Sequence, residues 1–390
     1  MEQRIKLSNT YLIICIIAIV IGIAALVIGY ISDPQRTWAN YLLNSYYFFL
    51  LSIGAAFFLA LQAITHSGWS AGFRRIPEAM MMFIPVAGIL MIFLYFGMEY
   101  LYPWTHEGHI AKSELIQHKT PYLNIPFFFL RLIAFFAVWT MLIYLIRKAS
   151  LREDETGGNS GYNKIEKYSA VFIFFLAVSF SLLGFDLLMS LQAEWFSTIF
   201  SLKHFISAFQ HSTALIFMII ILLNLKGYFK FLNVSHTHDF ARYVFIVSIF
   251  YGYFWFSQFM LIWYANIPEE TVYYAQRWTS EWKIFWYLDI IMNWAIPFFI
   301  LLPVVTSRNK RIIFIVAVIL LAGQWVDLFV TIFPAAVGKS DIGLIEIGSF
   351  IGFAGLFALI TGYHLSKAAL VPVNHPLIQE SYTHQFESYI

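Results

Sequence analysis

The sequence predicts an all-α integral membrane protein of about ten spanning helices, and three observations carry that prediction. Of 390 residues, 60% are hydrophobic and 12% charged, against roughly 25% charged in a soluble domain. The apolar residues gather in blocks of about 20 or more, the length an α-helix needs to cross hydrocarbon ~30 Å thick at 1.5 Å per residue. No stretch shows the ten-residue in/out alternation of a membrane barrel. Lipid admits only helices or closed barrels, because unpaired backbone groups find no water there.

Ten blocks are legible: 10–31, 42–64, 76–101, 126–146, 168–190, 204–224, 242–265, 283–305, 311–333 and 342–365. Asp33-Pro34, Pro103, Pro121, Gly157-Gly158, Pro268 and Pro334 fall between blocks or at their ends, where helices stop. Pro85 and Pro297 fall inside blocks, where each frees a backbone carbonyl one turn earlier. The basic apolar start, with Arg4 and Lys6, imitates a signal peptide. Its apolar run is longer than the 7–15 residues of an h-region and lacks a small-x-small cleavage site, so it reads as the first helix. The organisation follows: helices 1–4 in residues 1–151, a flexible cytoplasmic linker at 152–167, helices 5–10 in 168–365, and a cytoplasmic tail at 366–390.

Charge sets the topology. Sixteen Lys and Arg fall on the side of the N-terminus and seven on the opposite side, including Lys203 just before the sixth block; Arg131, inside a block, completes the 24. By the positive-inside rule both termini are cytoplasmic, which an even number of helices requires. The net charge of +2 and the loop placement of basic residues do not suggest a nucleic-acid partner. The single cysteine, Cys15, excludes disulfides, Cys-ligated iron–sulfur clusters and covalent c-type haem on this chain; it reads as a small buried hydrophobe. The outer loops are rich in aromatics, with Tyr102, Trp104, Trp195, Phe196, Trp263, Tyr264, Trp278 and Trp282. These fit an interfacial belt or the docking of a peripheral partner.

An ionisable side chain in hydrocarbon costs at least about 2.5–3.5 kcal/mol, so each one inside a block calls for a reason. Asp186, His204, His211, Gln258, Asp289, Asn293, Gln324, Asp327 and Glu346 all fall in the outer parts of helices five to ten. Residues three, four or seven apart share a helix face. That groups His204 with Ser207 and His211, Asp289 with Asn293, and Gln324 with Asp327. Converging stripes would form a protonatable cluster, and three uses remain open: hydrogen-bonded glue between helices, proton conduction, or a bound small molecule.

Other positions carry less. Glu99 and Arg131, joined through one loop, are expected to form a structural ion pair. Glu78 after Pro77 reads as a helix-start carboxylate rather than a proton acceptor. His66 and His364, near the cytoplasmic boundary, would ligate a haem only if they faced each other. His106, His109 and His118 share a loop with Glu107 and Glu114 at no compact zinc spacing. No dinucleotide or phosphate loop and no hydrolase elbow is present, so the metal, cofactor and catalytic assignments for this chain are none.

Two stretches carry a resemblance. Phe185 to Phe200 reads F-D-L-L-M-S-L-Q-A-E-W-F-S-T-I-F, and Trp263 to Glu270 reads W-Y-A-N-I-P-E-E. They resemble the D-W-x-M-S-L-x-P-x-W-F-S-T-I-F and Q-x-x-L-I-W-Y-A-N-I-P-E-E motifs of the ActF family, the smaller NrfD/PsrC-like membrane subunits of alternative complex III, and the similarity extends over essentially the whole chain. Leu187 replaces the motif's Trp and Ala193 its Pro, so residues 192–194 inherit no role, whereas Asp186 does. The resemblance implies two four-helix bundles, helices 2–5 and 6–9, flanked by helices 1 and 10. It also implies a multi-pass subunit of a quinol:electron-acceptor oxidoreductase in the bacterial inner membrane.

In that family quinol is oxidised near the larger NrfD-like paralogue, and electrons pass through iron–sulfur and haem c groups on periplasmic partner subunits to cytochrome c or a terminal oxidase. The smaller subunit is a scaffold with a candidate proton path and no redox cofactor of its own, surrounded by lipid. Two other functions stay open: a stand-alone secondary transporter that uses the polar cluster for its substrate, and a quinone-binding membrane anchor.

Overall fold

The computed structural model describes residues 4–111 and 113–385; residues 1–3, 112 and 386–390, the last five of the expected tail, lie outside the described residues. Among the described residues are ten helices long and apolar enough to cross a membrane: α1 Asn9–Ser32, α2 Pro34–Ile64, α3 Arg75–Leu101, α4 Ile125–Thr156, α5 Asn159–Leu187, α6 Ile199–Leu225, α7 Val234–Ala265, α8 Lys283–Leu301, α9 Lys310–Ala336 and α10 Leu344–Ser366. No β-strand occurs among the described residues. The chain is thus a multi-pass helical membrane protein.

Caps explain why several helices outrun their apolar blocks. Asp33 accepts from the Arg36 amide at 3.1 Å and Pro34 takes the first helical position, so α2 starts eight residues before its block at 42. Asn124 accepts from the Phe127 amide at 2.9 Å to start α4, and Asn233 and Asn309 start α7 and α9 in the same way. The expected linker at 152–167 is corrected most. Residues 152–156 complete α4 and 159–167 open α5, which leaves a turn of Gly157 and Gly158 at φ +64° and +72°, a conformation glycine adopts without steric cost.

Each internal proline acts locally. Pro85 opens the second segment of α3 after a break at Met82 and Phe83. In α8 a π-helical turn, Ile291–Ala295, precedes Pro297. Pro334, expected at a helix end, lies inside the last turn of α9 and removes the amide that would bond to the Val330 carbonyl. Arg277, at the end of a short helix Pro268–Arg277, replaces that donor: its Nε donates to Val330 O and its Nη2 to Thr331 O, both at 2.9 Å.

The middle of the molecule is α2 packed on α6. Both are largely enclosed by protein, and α2 also touches α3, α5, α9 and α10. A Cβ on Gly54 would lie 2.2 Å from the Ala208 carbonyl oxygen, so only glycine lets the two helices approach this closely. Gly348, Gly352 and Gly355 of α10 make the same kind of contact with α1, where a Cβ on Gly352 would stand 2.4 Å from Gly22 Cα. Small residues of this sort let membrane helices gain close van der Waals contact. The remaining surface of α1, with Ile13, Ile17, Val20 and Ile28, is exposed for lipid, and Cys15 is buried on the packing side.

Both termini lie at one end of the bundle. There the tail forms a strap: Val373 N donates to Asp154 Oδ1 (3.0 Å), Gly72 N to Ser381 Oγ (3.2 Å), and Asn233 Nδ2 to His384 O (2.6 Å). His375 sits in it 6% exposed, and burial, reinforced by the Arg74 cation, pushes its imidazole down to about 3.

Two outcomes follow. Gly352→Leu should lower thermal stability in detergent by about 1–3 kcal/mol, whereas Ile17→Leu on the exposed face should not. Because His375 is neutral when packed, the released strap binds more protons, so its docking should be intact above pH 6.5 and weaken progressively as pH falls from there toward 3. Limited proteolysis of the C-terminal segment against pH measures this, and an unchanged profile in His375→Phe would refute the assignment.

Candidate functional site

At the end of the bundle opposite the termini, α6, α7, α8 and α9 bring one cluster of polar side chains together in the protein interior. Lys203, which the sequence reading left in a loop, belongs to the second turn of α6 because that helix starts at Ile199. It stands four residues before Ser207 and eight before His211, on the face those residues share. Its ammonium donates to Asp327 Oδ1 at 2.5 Å and lies 3.7 Å from Asp289 Oδ2. Lys203 is 7% exposed, Asp289 2% and Asp327 1%. An ammonium between two buried carboxylates is what makes such burial affordable in hydrocarbon.

The neighbours complete the cluster. Asp289 accepts from Tyr251 OH at 2.6 Å, Trp255 Nε1 at 3.0 Å and Asn293 Nδ2 at 2.8 Å. Asn293 lies in the π turn of α8, and because Pro297 four residues on has no amide to offer, the Asn293 carbonyl accepts from Gln210 Nε2 at 2.8 Å. Its side-chain nitrogen also donates to Gly323 O at 3.0 Å, which turns Asn293 Oδ1 toward His211 Nε2, 2.8 Å away. Gly323 is needed for this approach, since a Cβ there would fall 2.4 Å from Asn293 Oδ1.

His211 Nδ1 meets the Ser207 carbonyl oxygen at 2.5 Å. Both ring nitrogens therefore face acceptors, and both contacts become hydrogen bonds when each nitrogen carries a proton. The cluster thus runs as one hydrogen-bonded chain from His211 through Asn293 to Asp289.

The other predicted residues separate into different environments. His204 is fully buried against Tyr46 and Phe200, with ring centroids 6.2 and 4.6 Å away. Neither of its nitrogens has a protein partner among the described residues. The same holds for both amide atoms of Gln324 and for Gln258 Nε2; buried groups of this kind take their partners from water or a ligand.

Asp186 is taken out of the cluster, and the expected Glu99–Arg131 pair is corrected with it. Arg131 Nε and Nη2 grip Asp186 at 2.8 and 2.9 Å, with the guanidinium 3.8 Å from the Tyr122 ring centroid and 4.3 Å from that of Phe127. Glu99 stands at the exposed surface. The interior acid is favoured because a buried guanidinium needs a counter-charge that solvent cannot screen. Glu346 likewise serves a structural pair: Arg36 binds it bidentately at 2.7 Å and Asn40 Nδ2 donates at 2.8 Å, which ties α2 to the start of α10.

At the terminal end, Glu78 is more than a helix-start carboxylate. It receives Arg74 (3.1 Å), Arg75 (2.7 Å), Arg147 (2.5 Å) and the Ser150 hydroxyl, and Glu153 and Asp154 bind Arg74 and Arg75. Three arginines and three acids close a buried, charge-balanced network between α3 and α4. His66 and His364 do not face each other. His66 bonds to Tyr162 OH at 2.8 Å, and the His364 carbonyl accepts from Arg147 at 2.9 Å.

Sequence reasoning missed Lys203, Tyr251, Trp255 and Gln210. Only Lys203 left a signal, its helical spacing to Ser207 and His211. The two recognisable stretches, 185–200 and 263–270, meet in space, because Trp195 Nε1 donates to Glu270 O at 3.2 Å, and the Trp195 ring stacks on Tyr273 just beyond, with centroids 4.1 Å apart.

Asp186→Asn, which strands the Arg131 guanidinium, should cost about 3–5 kcal/mol in denaturant unfolding, and Arg131→Leu with Asp186→Leu should recover most of that loss. No protein-family model matches the chain, and no curated protein is similar to it.

Proposed function

We propose that this chain is a membrane subunit, without a redox cofactor of its own, of a respiratory quinol:electron-acceptor oxidoreductase of the alternative complex III kind. On this reading it sits in the bacterial inner membrane beside a larger NrfD-like paralogue and periplasmic haem and iron–sulfur subunits, with both termini cytoplasmic. The cluster of Lys203, Asp289, Asn293, His211 and Asp327 is then a proton-handling station. The single observation that carries the proton role is the buried Lys203 ammonium held between Asp327 and Asp289 and joined through Asn293 to His211. The meeting of the two motif stretches at Trp195 and Glu270 supports the family reading.

Pairwise packing supports two four-helix bundles, since α2 to α5 contact one another in a ring, as do α6 to α9. Chemically, His211 would take or give a proton while Lys203 keeps the site near neutrality. Gln324 and His204, buried without protein partners, mark where water would extend the route.

The secondary-transporter reading draws on one feature, the interrupted helix α8 with Asn293 in its π turn, because carriers build substrate sites on broken helices. Co-purification with haem- and iron–sulfur-bearing partners supports the oxidoreductase subunit; a colourless protein isolated alone supports the transporter. In the reconstituted complex, Asp327→Asn and Asp289→Asn, each of which leaves Lys203 one of its two carboxylates, should lower proton release or turnover per assembled complex by on the order of tenfold. Wild-type turnover and proton yield in both variants would sink the proton-station reading.

A further inference from the structure

Between α2, α6, α9 and α10 lies an apolar cleft of about 970 Å³, lined at the terminal end by residues 5–8. Its walls are hydrocarbon along nearly the whole length, represented by Leu51, Met218, Leu321, Phe350 and Ala354. It follows α10 from Ile347 to Leu365, roughly 27 Å at 1.5 Å per residue, which approaches the thickness of a bilayer's hydrocarbon. A cleft of this length and composition fits flexible chains rather than a compact polar solute.

Its charge is confined to the two ends and differs between them. At the far end Glu346 is already taken up by Arg36 and Asn40. At the terminal end Ile5 packs on the core and thereby fixes Lys6 at the mouth, where Lys226, just past the end of α6, stands with it. Both lysines are exposed, and no acidic side chain among the described residues lines that mouth. Two ammonium groups above an apolar cleft between membrane helices recognise an anionic headgroup on an acyl-chain lipid.

We propose that this cleft is a lipid site in which the acyl chains of one anionic phospholipid lie between α2, α6, α9 and α10 and its phosphate is held by Lys6 and Lys226. The bound lipid fills the space between the α1–α10 pair and the rest of the bundle. This assignment is independent of the respiratory reading, since it uses none of the polar cluster.

The test reconstitutes the full chain into nanodiscs of equal parts phosphatidylglycerol and phosphatidylcholine, re-extracts it gently and identifies retained lipid by native mass spectrometry. The wild type should retain phosphatidylglycerol over phosphatidylcholine by on the order of tenfold. Lys6→Gln with Lys226→Gln should lose that preference while still retaining lipid. Ala354→Trp, which fills the cleft, should lose retained lipid of both kinds. Equal retention of the two lipids by wild type, a preference that survives in the lysine double variant, or an isoprenoid quinone in place of phospholipid would each overturn the proposal.

Discussion

A lysine ammonium buried between two carboxylates is tolerable only if both acids reach it, and the end of the molecule opposite the termini is arranged around that demand. Lys203 comes from α6, Asp327 from α9 and Asp289 from α8, so three helices must keep their relative height and rotation for the charges to cancel. In a low-dielectric interior the loss of one partner leaves an uncompensated charge. The cluster therefore fixes helix register as firmly as any apolar contact. The π turn of α8 belongs to the same requirement, because it places Asn293 between Asp289 and His211 while the freed backbone carbonyl is met by Gln210.

The same rule, that a charge inside the bundle must meet its opposite there, recurs elsewhere. Arg131 with Asp186 joins α4 to α5, Arg36 with Glu346 joins α2 to α10, and the network of Glu78 joins α3 to α4 at the other end. Arg277 extends the rule to backbone: Pro334 removes an amide, and the guanidinium supplies the missing donor to Val330. Each pairing spans segments distant in sequence, so together they act as cross-ties in a protein whose apolar surfaces gain little from leaving lipid. What distinguishes the Lys203 cluster is the His211 imidazole, whose two nitrogens both lie within hydrogen-bonding distance of protein oxygens.

Close backbone approach is the complementary constraint. Gly54 admits α6 against α2, Gly352 admits α1 against α10, and Gly323 admits Asn293 against α9. Where helices do not close on one another, the apolar cleft beside α10 remains, walled by larger side chains such as Phe350 and Met218. Tight glycine seams and an open, lipid-sized gap are therefore two results of the same distribution of side-chain sizes.

The ten spanning helices were legible from the sequence because hydrocarbon imposes a length and an apolarity that any window of residues reveals. Polar side chains inside the later helices were legible too, since a charge within an apolar run stands out. Hydropathy is blind to polar helical turns, which is why the start of α2, the α4–α5 turn at Gly157 and Gly158, and the helical position of Lys203 emerged only in three dimensions. Nor does sequence say which acid an arginine meets. Proximity along the chain favoured Glu99 for Arg131, while burial and helix rotation delivered Asp186. The sequence by itself determined the elements and the inventory of charges. Tertiary packing decided their pairing, because in a low-dielectric interior a charge is matched by whichever partner shares its depth and faces it across the helix interface.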